Sequence, residues 1–108
     1  MKTISVEEHL KQKLKDPYFK ELYELDEQKL AIVKRIIDYR IRNNLTQGQL
    51  AQRAGVTQQH ISKIENGEFS NIATLEKVLL FIGYTVKFKA VPLEKHAWER
   101  IQQLSAKA

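Results

Sequence analysis

The chain has 108 residues, 43% of them hydrophobic and 29% charged, with a formal net charge of +5 and no cysteine. This length allows one domain with extensions, whose core is adequate rather than generous, so dimerisation is expected to help stability. The lack of cysteine excludes disulfides, thiolate metal sites and a cysteine nucleophile, and the lack of a signal peptide or of roughly 18 consecutive apolar residues predicts a cytoplasmic protein outside the membrane.

Charge is distributed unevenly along the chain. Residues 1–28 carry five Lys and seven acidic residues, residues 29–67 carry seven Lys or Arg and two acidic residues, and residues 68–108 carry six basic and four acidic residues. The positive charge is therefore concentrated in the middle of the chain, where it would attract phosphate groups. The alternative interpretation is a solvated basic face with no ligand.

The N-terminal segment predicts short helices. Ser5 followed by Glu8 is a capping box, which predicts a helix over residues 6–15. Its apolar stripe would consist of Val6, Leu10 and Leu14. Asp16-Pro17 ends this helix and can start the next one, with Asp16 as the cap and Pro17 in the first helical position.

The chain after Pro17 leaves two helical arrangements open. Asp26 either caps a new helix or lies inside a continuous helix that runs to about Asn43. Helical spacing predicts one wide apolar face after this point, formed by Leu30, Val33, Ile36, Ile37 and Ile41.

Residues 46–67 have the pattern of two short helices joined by a tight turn. Thr46 can cap the first helix, and Gly55 supplies the flexible turn position. Thr57 can cap the second helix, which Asn66-Gly67 would stop. The inward residues would be Leu50, Ala51 and Ala54 on the first helix and Ile61 and Ile64 on the second. Gln58, Gln59, His60, Ser62 and Lys63 would lie on or beside the opposite face.

The C-terminal third predicts a helix, a strand and a last helix. Asn71 can cap a helix that Gly83 terminates, with Ile72, Leu75, Val78, Leu79 and Ile82 directed inward. Residues 84–91 then alternate between polar and apolar side chains, which indicates a strand that needs a partner. After Pro92, a final amphipathic helix would place Leu93, Ala97, Trp98, Ile101 and Leu104 on one side.

The run T-Q-Q-x-I-x-x-x-E-N-G at residues 57–67 resembles the helix-turn-helix of the Xre and lambdoid phage-repressor family, and the resemblance covers roughly residues 28–83. It implies that Gln47 grips a phosphate, that Gln58 and Gln59 read bases, and that Glu65 pairs with Arg40. Where the family has a third base-reading amide, this chain has Lys63, so the operator of a relative cannot be transferred.

These features predict a mainly α fold: a lambda-repressor-like helix-turn-helix bundle with short N-terminal helices, one C-terminal β-strand pairing across a dimer, and a terminal helix. The expected domains are an N-terminal helical extension at 1–27, a DNA-binding domain at 28–83, and a dimerisation strand with C-terminal helix at 84–108. The expected base-reading residues are Gln58, Gln59, Lys63 and His60, and the expected phosphate contacts are Gln47, Thr57, Ser62 and Asn66. Val86 and Phe88 would form the dimer contact, on a palindromic operator.

The segments on either side of this motif resemble HigA-like antitoxins. The N-terminal residues S-V-E-E-H-L, K-D-P-Y-F and Y-E-L carry this resemblance, together with the predicted strand. It implies a protein that represses its own operon and neutralises a small basic RelE/HigB-like ribonuclease toxin. Residues 16–28 hold five acids and one Lys among aromatic and aliphatic side chains, which suits a basic partner. The expected toxin anchors are Phe19, Leu22 and Tyr23; alternatively, these side chains only cover the repressor core.

Several of these residues allow another interpretation. Arg40 and Glu65 could be exposed charges, but their places on neighbouring helices favour a partly buried pair. Trp98 could stack on a base, but its apolar stripe favours packing. No metal-ligand spacing, phosphate loop or catalytic triad is present, so no enzyme, metal or cofactor is expected. The alternatives to the antitoxin are a phage-type or metabolic repressor without a toxin, and an interaction module without DNA binding.

Overall fold

The computed structural model describes residues 5–106, so the first four residues of the predicted N-terminal extension and the last two of the chain lie outside it. Within that range it is mainly helical. The helices are α1 (Val6–Lys13), α2 (Pro17–Arg42), α3 (Gln47–Ala54), α4 (Gln58–Glu65), α5 (Ile72–Phe81) and α6 (Lys95–Ala106). None of the helices in the described part is long and apolar enough to cross a membrane.

The chain divides into two compact units. One consists of residues 28–89 and is called the central unit below. The other, called the terminal unit, consists of the described residues before 28 and after 89. Helix α2 contributes its first part to the terminal unit and the remainder to the central unit.

The central unit encloses a continuous hydrophobic core. Apart from Ile72, the predicted inward residues of α3, α4 and α5 pack there against Ile36 of α2. The core consists of Ile36, Leu45, Leu50, Ala51, Ile61, Ile64, Leu75, Val78, Leu79 and Ile82. Burying a Leu or Ile side chain contributes about 1.5–3 kcal/mol, so this cluster is what holds α3 and α4 against the rest of the unit.

Helix starts follow the capping residues predicted from the sequence. The Ser5 hydroxyl oxygen accepts a hydrogen bond from the Glu8 backbone N–H at 3.1 Å, and Asn71 Oδ1 accepts one from the Thr74 backbone N–H at 3.1 Å. Asp16 Oδ1 accepts one from the Tyr18 backbone N–H at 3.0 Å, with Pro17 as the first helical residue. Each cap satisfies a backbone donor that the helix itself leaves unpaired.

Helix α2 is continuous, so Asp26 does not start a new helix. The residues around it are good helix formers without Gly or Pro, and nothing there breaks the backbone hydrogen bonds. Its predicted apolar face is narrower than expected, because Leu30 and Ile41 are largely exposed. In the same way Ile72, predicted to point inward at the start of α5, is about half exposed.

The strand predicted at residues 84–91 is not formed in the single chain, and the described residues contain no other strand. The segment follows Gly83, whose φ of 93° ends α5 in a conformation that glycine adopts without strain. A strand is defined by its ladder of hydrogen bonds to a neighbour, and one chain offers this segment no neighbour. Val86 nevertheless packs against the core, while Phe88 is 59% exposed.

The terminal unit has little buried apolar surface. Ala97 is its one described residue in the buried class, and Trp98, expected to anchor α6 by packing, is 55% exposed. Helix α1 ends at Lys13, two residues earlier than predicted, and buries no side chain. Polar contacts add to the packing: Arg100 Nε lies 3.7 Å from Asp16 Oδ2.

Candidate nucleic-acid interface

Helices α3 and α4 are packed against each other and joined by a tight turn. Gly55 has a φ of 76°, a left-handed conformation that favours glycine, and this residue lets the chain reverse before Val56. Ile61 and Ile64 fix the inner face of α4 in the core. Because successive helical residues point in different directions, Gln58, Gln59 and Lys63 are left exposed on the other side.

Both helices begin with a reciprocal capping box. At α3, Thr46 Oγ1 accepts from the Gln49 backbone N–H at 3.0 Å, and Gln49 Oε1 accepts from the Thr46 backbone N–H at 2.9 Å. At α4, Thr57 Oγ1 accepts from the His60 backbone N–H at 3.2 Å, and His60 Nδ1 accepts from the Thr57 backbone N–H at 3.4 Å. Two helices of eight residues are too short to be stable alone, so these caps and the core hold them.

The capping box changes what His60 can do. Its Nδ1 is an acceptor of the Thr57 backbone N–H, and the side chain is half-buried. Only Nε2 remains for a ligand, and as the second nitrogen of a neutral ring it would be the donor. The sequence could not show this role, because His is an unusual third residue of a capping box, where Glu or Gln is the expected partner.

An ion pair connects α2 to the end of α4. Arg40 Nε and Nη2 each donate to one oxygen of Glu65 at 2.9 Å, and Arg40 Nη1 donates to the Leu45 carbonyl oxygen at 3.2 Å. The Glu65 side chain is only 8% exposed and that of Arg40 21%. Hydrogen bonding and the charge of Glu65 raise the pKa of Arg40 further above its ordinary value, despite partial burial. The Arg40 guanidinium therefore stays charged, and its two hydrogen bonds to Glu65 fix the orientation of α4 against α2.

Gln47 joins the same network. Its Nε2 donates to Glu65 Oε1 at 3.3 Å, so the first residue of α3 is bonded to the last residue of α4. The Gln47 carbonyl oxygen and its second N–H remain available for another partner. An amide held in this way, at a helix N-terminus where anions bind favourably, is suited to donate to a phosphate.

Gln58 lies against the backbone of α3. A Cβ added to Gly48 would meet Gln58 Oε1 at 3.2 Å, which is closer than ordinary van der Waals contact. The missing side chain of Gly48 thus leaves room for the Gln58 amide at the first turn of α3. Gly48 was not among the residues predicted from the sequence. The available signal was a glycine inside a short helix, where it costs about 1 kcal/mol relative to alanine.

The other predicted phosphate contacts are spread along α4. Thr57 caps its first turn, Ser62 lies half-buried in its middle, and Asn66 caps its last turn with its backbone N–H bonded to the Ser62 carbonyl oxygen at 3.1 Å. Gln47 is bonded to Glu65, the neighbour of Asn66, so it lies near the last residues of α4, whereas Gln58 lies at the first turn of that helix. No described group of His, Asp and Glu side chains could hold a metal ion.

The predicted toxin anchors lie on the first part of α2. Phe19 and Tyr23 are half-buried and stacked, with ring centroids 6.4 Å apart, and the Lys13 ammonium lies 5.6 Å from the Phe19 ring centre. Leu22, between them in sequence, is 43% exposed. Of the three, Leu22 is thus the most accessible to a partner.

Comparison with known proteins identifies the region that contains α3 and α4. A model of the helix-turn-helix family matches residues 36–88, which takes in the Arg40–Glu65 pair, both capping boxes and α5. Searches among curated proteins and among solved structures found no match. Residues 36–88 therefore match a helix-turn-helix domain, the kind of domain with which DNA-binding transcriptional regulators contact their sites.

Proposed function

We propose that this protein is a sequence-specific transcriptional repressor that acts as an antitoxin, repressing its own operon and neutralising a small basic RelE/HigB-like ribonuclease. The DNA-binding part of the proposal rests on two exposed amides, Gln58 and Gln59, at the first turn of α4. The Arg40–Glu65 pair holds this helix in place. In a helix-turn-helix the second helix enters the major groove with its N-terminal residues nearest the bases.

The proposed contacts divide into base-reading and phosphate-binding groups. Gln58 and Gln59 can each form two hydrogen bonds to adenine N6 and N7, and exposed Lys63 can reach guanine O6 and N7. His60 contributes through Nε2 alone. Phosphate contacts come from Gln47, Thr57, Ser62 and Asn66, and they position the helix without carrying sequence information.

Two substitutions test this division. Gln58→Ala should weaken operator binding by about 1–3 kcal/mol and leave binding to random DNA nearly unchanged. Gln47→Ala should weaken both to a similar extent, because a phosphate contact is independent of sequence. Fluorescence anisotropy with an operator selected from random DNA measures both. Unchanged affinity and sequence preference in Gln58→Ala would contradict the docking.

The proposed active form is a two-fold dimer on a palindromic operator. Val86 packs on its own core while Phe88 projects from an unpaired segment, so the second copy would cover both. The half-sites of such a dimer would be separated by roughly 10 base pairs, one turn of DNA.

The toxin is proposed to bind the terminal unit through the first part of α2. Residues 16–28 carry five acids against one Lys, and the anchors Phe19, Leu22 and Tyr23 lie among them. Acidic residues around an apolar centre favour association with a basic protein, and apolar anchors supply most of the affinity. The exposed Leu22 and Leu25, 43% and 48% exposed, support a surface that a partner covers.

Co-expression with the protein encoded beside this chain, followed by co-purification, tests the antitoxin role. We expect a ribonuclease-like basic partner that Leu22→Asp releases, because a buried charge at an interface centre is unfavourable. Ile72→Asp, at a half-exposed apolar side chain on α5 of the central unit, is the matched control and should keep the partner. A chain that binds operator and no neighbouring product would instead be a phage-type or metabolic repressor.

A further inference from the structure

Residues 85–89, which follow α5, lie beside a cavity and have backbone groups without backbone hydrogen-bond partners in the described part of the chain. Among residues 5–106, no backbone hydrogen bond involves residues 85–89, whereas Tyr84 still donates to the Leu79 carbonyl oxygen at 2.8 Å. A cavity of about 140 Å³ adjoins the segment and is lined by Glu76, Leu80, Thr85 and Val86. Leu80 is 64% exposed at its wall.

We infer, resting on the dimer proposed above, that residues 84–88 of a second copy pair antiparallel with this segment about Val86, and that the side chain of Lys87 of each copy lies in the cavity beside Glu76 of the other. The choice of partner follows from the sequence pattern. Even-numbered residues of the segment are apolar and odd-numbered ones polar, so an antiparallel copy can match both faces at once.

For apolar residues to lie opposite apolar ones and polar opposite polar, one residue of the segment must lie opposite its own copy, and this limits the possible registers. Registers centred on residue 87, 88 or 89 each place one lysine directly opposite another, and like charges in that position are destabilising. A register centred on 85 includes Gly83, whose φ of 93° lies outside the range of a strand. One centred on 90 reaches Pro92, which has no N–H to donate.

The register centred on Val86 has none of these faults. Val86 lies opposite its own copy, Tyr84 lies opposite Phe88 of the second copy, and Lys87 lies opposite Thr85. Tyr84 and Phe88 are both exposed in the single chain, and an aromatic cross-strand pair would cover them.

This register also gives Glu76, the acidic residue in the wall of the cavity, a basic partner. Thr85 lines the cavity together with Glu76, so a lysine of the second copy opposite Thr85 comes within reach of the Glu76 carboxylate. The contact occurs twice in a symmetric dimer. Lys89 lies opposite Gly83 in the same register, away from Thr85, and provides a matched control.

Cysteine scanning tests the register directly, because the chain has no cysteine of its own. Single variants Thr85→Cys, Val86→Cys, Lys87→Cys and Phe88→Cys are oxidised mildly, and the disulfide-linked dimer is quantified. Val86→Cys should cross-link fastest, since only the residue on the two-fold axis meets its own copy at disulfide distance. Fastest cross-linking at 85, 87 or 88 would overturn the register.

Charge exchange tests the Glu76 contact by sedimentation. Glu76→Lys and Lys87→Glu should each weaken the dimer about tenfold, and the double variant should recover most of the loss. Glu76→Lys combined with Lys89→Glu should show no such recovery. Equal recovery in both combinations would overturn the contact.

The oligomeric state of the unmodified chain tests the proposed dimer separately from its proposed interface. A monomer at concentrations that saturate operator would remove the proposed dimer and the register with it. A dimer that none of the four cysteines cross-links would leave the dimer in place and overturn residues 84–88 as its interface.

Discussion

The central and terminal units bury their apolar side chains to very different degrees. In the central unit, Leu50 and Ile61 have no exposed surface and belong to a continuous core. In the terminal unit, Val6 is 86% exposed and Ala97 is the one described residue that is fully covered. The central unit is thus held together by its own buried core, whereas the terminal unit has almost no fully buried side chain to stabilise it.

A matched pair of leucine truncations tests this difference most strongly. Leu50→Ala in the central core should lower the free energy of unfolding by about 3 kcal/mol, because it removes buried surface and leaves a cavity. Leu22→Ala in the terminal unit should lower it by less than about 1 kcal/mol, since that side chain is already half exposed. Urea unfolding followed by circular dichroism measures both. Similar losses would mean that the two units are equally well packed.

Breaking the ion pair should cost nearly as much as the core truncation. Arg40→Met leaves the Glu65 carboxylate almost buried without its cation, which should destabilise the central unit by about 3 kcal/mol. The double variant Arg40→Met/Glu65→Leu should be more stable than the single one, because no unpaired charge remains. Lys95→Met breaks the exposed Lys95–Glu99 pair of the terminal unit, 3.9 Å apart, and should change stability by less than about 0.5 kcal/mol.

A subtler substitution separates stability from DNA reading inside the central unit. Gly48→Ala should leave the unfolding free energy unchanged or raise it by up to about 1 kcal/mol, because alanine is the better helix former. It should also displace the Gln58 amide, which lies 3.2 Å from the new Cβ position, and weaken operator binding several-fold. Thermal unfolding and anisotropy on the same sample measure the two effects. An unaltered operator affinity would show that the amide adjusts freely.

The smallest expected effect is a weakening of the start of α6 at acidic pH. Backbone hydrogen bonds at the start of α6, first from His96 and then from Ala97, lower the pKa of the Glu94 carboxyl below its ordinary value of 4.5. A lowered folded-state pKa means that the ionised cap stabilises α6 above about pH 4.5 and that this support is lost as the pH falls through the folded value. NMR amide signals of Ala97 and Trp98 should therefore broaden in acid before those of α4. Glu94→Gln should remove this pH dependence.

Local features of the chain were the predictable ones. Thr46, Thr57 and Asn71 act as caps as predicted, because a cap depends on residues three positions away. The prediction that Leu30 and Ile41 belong to the buried face of α2 was wrong, because periodicity shows which residues share a face and not how far the core extends along it.

Features that depend on distant atoms were not predictable in the same way. The approach of Gln58 to Gly48 depends on how α3 and α4 pack against each other. The turn of the His60 ring back to the Thr57 backbone is local, but His is not the residue from which a capping box is predicted. The predicted strand needs a hydrogen-bonding neighbour, which no property of residues 84–91 alone can supply. Packing between helices and the presence of a hydrogen-bonding neighbour decide such features, whereas sequence pattern predicts where most of the helices begin.

The shortness of α4 limits how much sequence one copy can read. Eight residues at about 1.5 Å each span roughly 12 Å, the length of about four base pairs at roughly 3.4 Å each. A given set of four base pairs recurs by chance about once in 256 positions, since four pairings are distinguishable at each step. A genome offers on the order of a million or more competing sites. One copy thus carries too little information to address a single operator, and selectivity in the cell would depend on how many copies bind together.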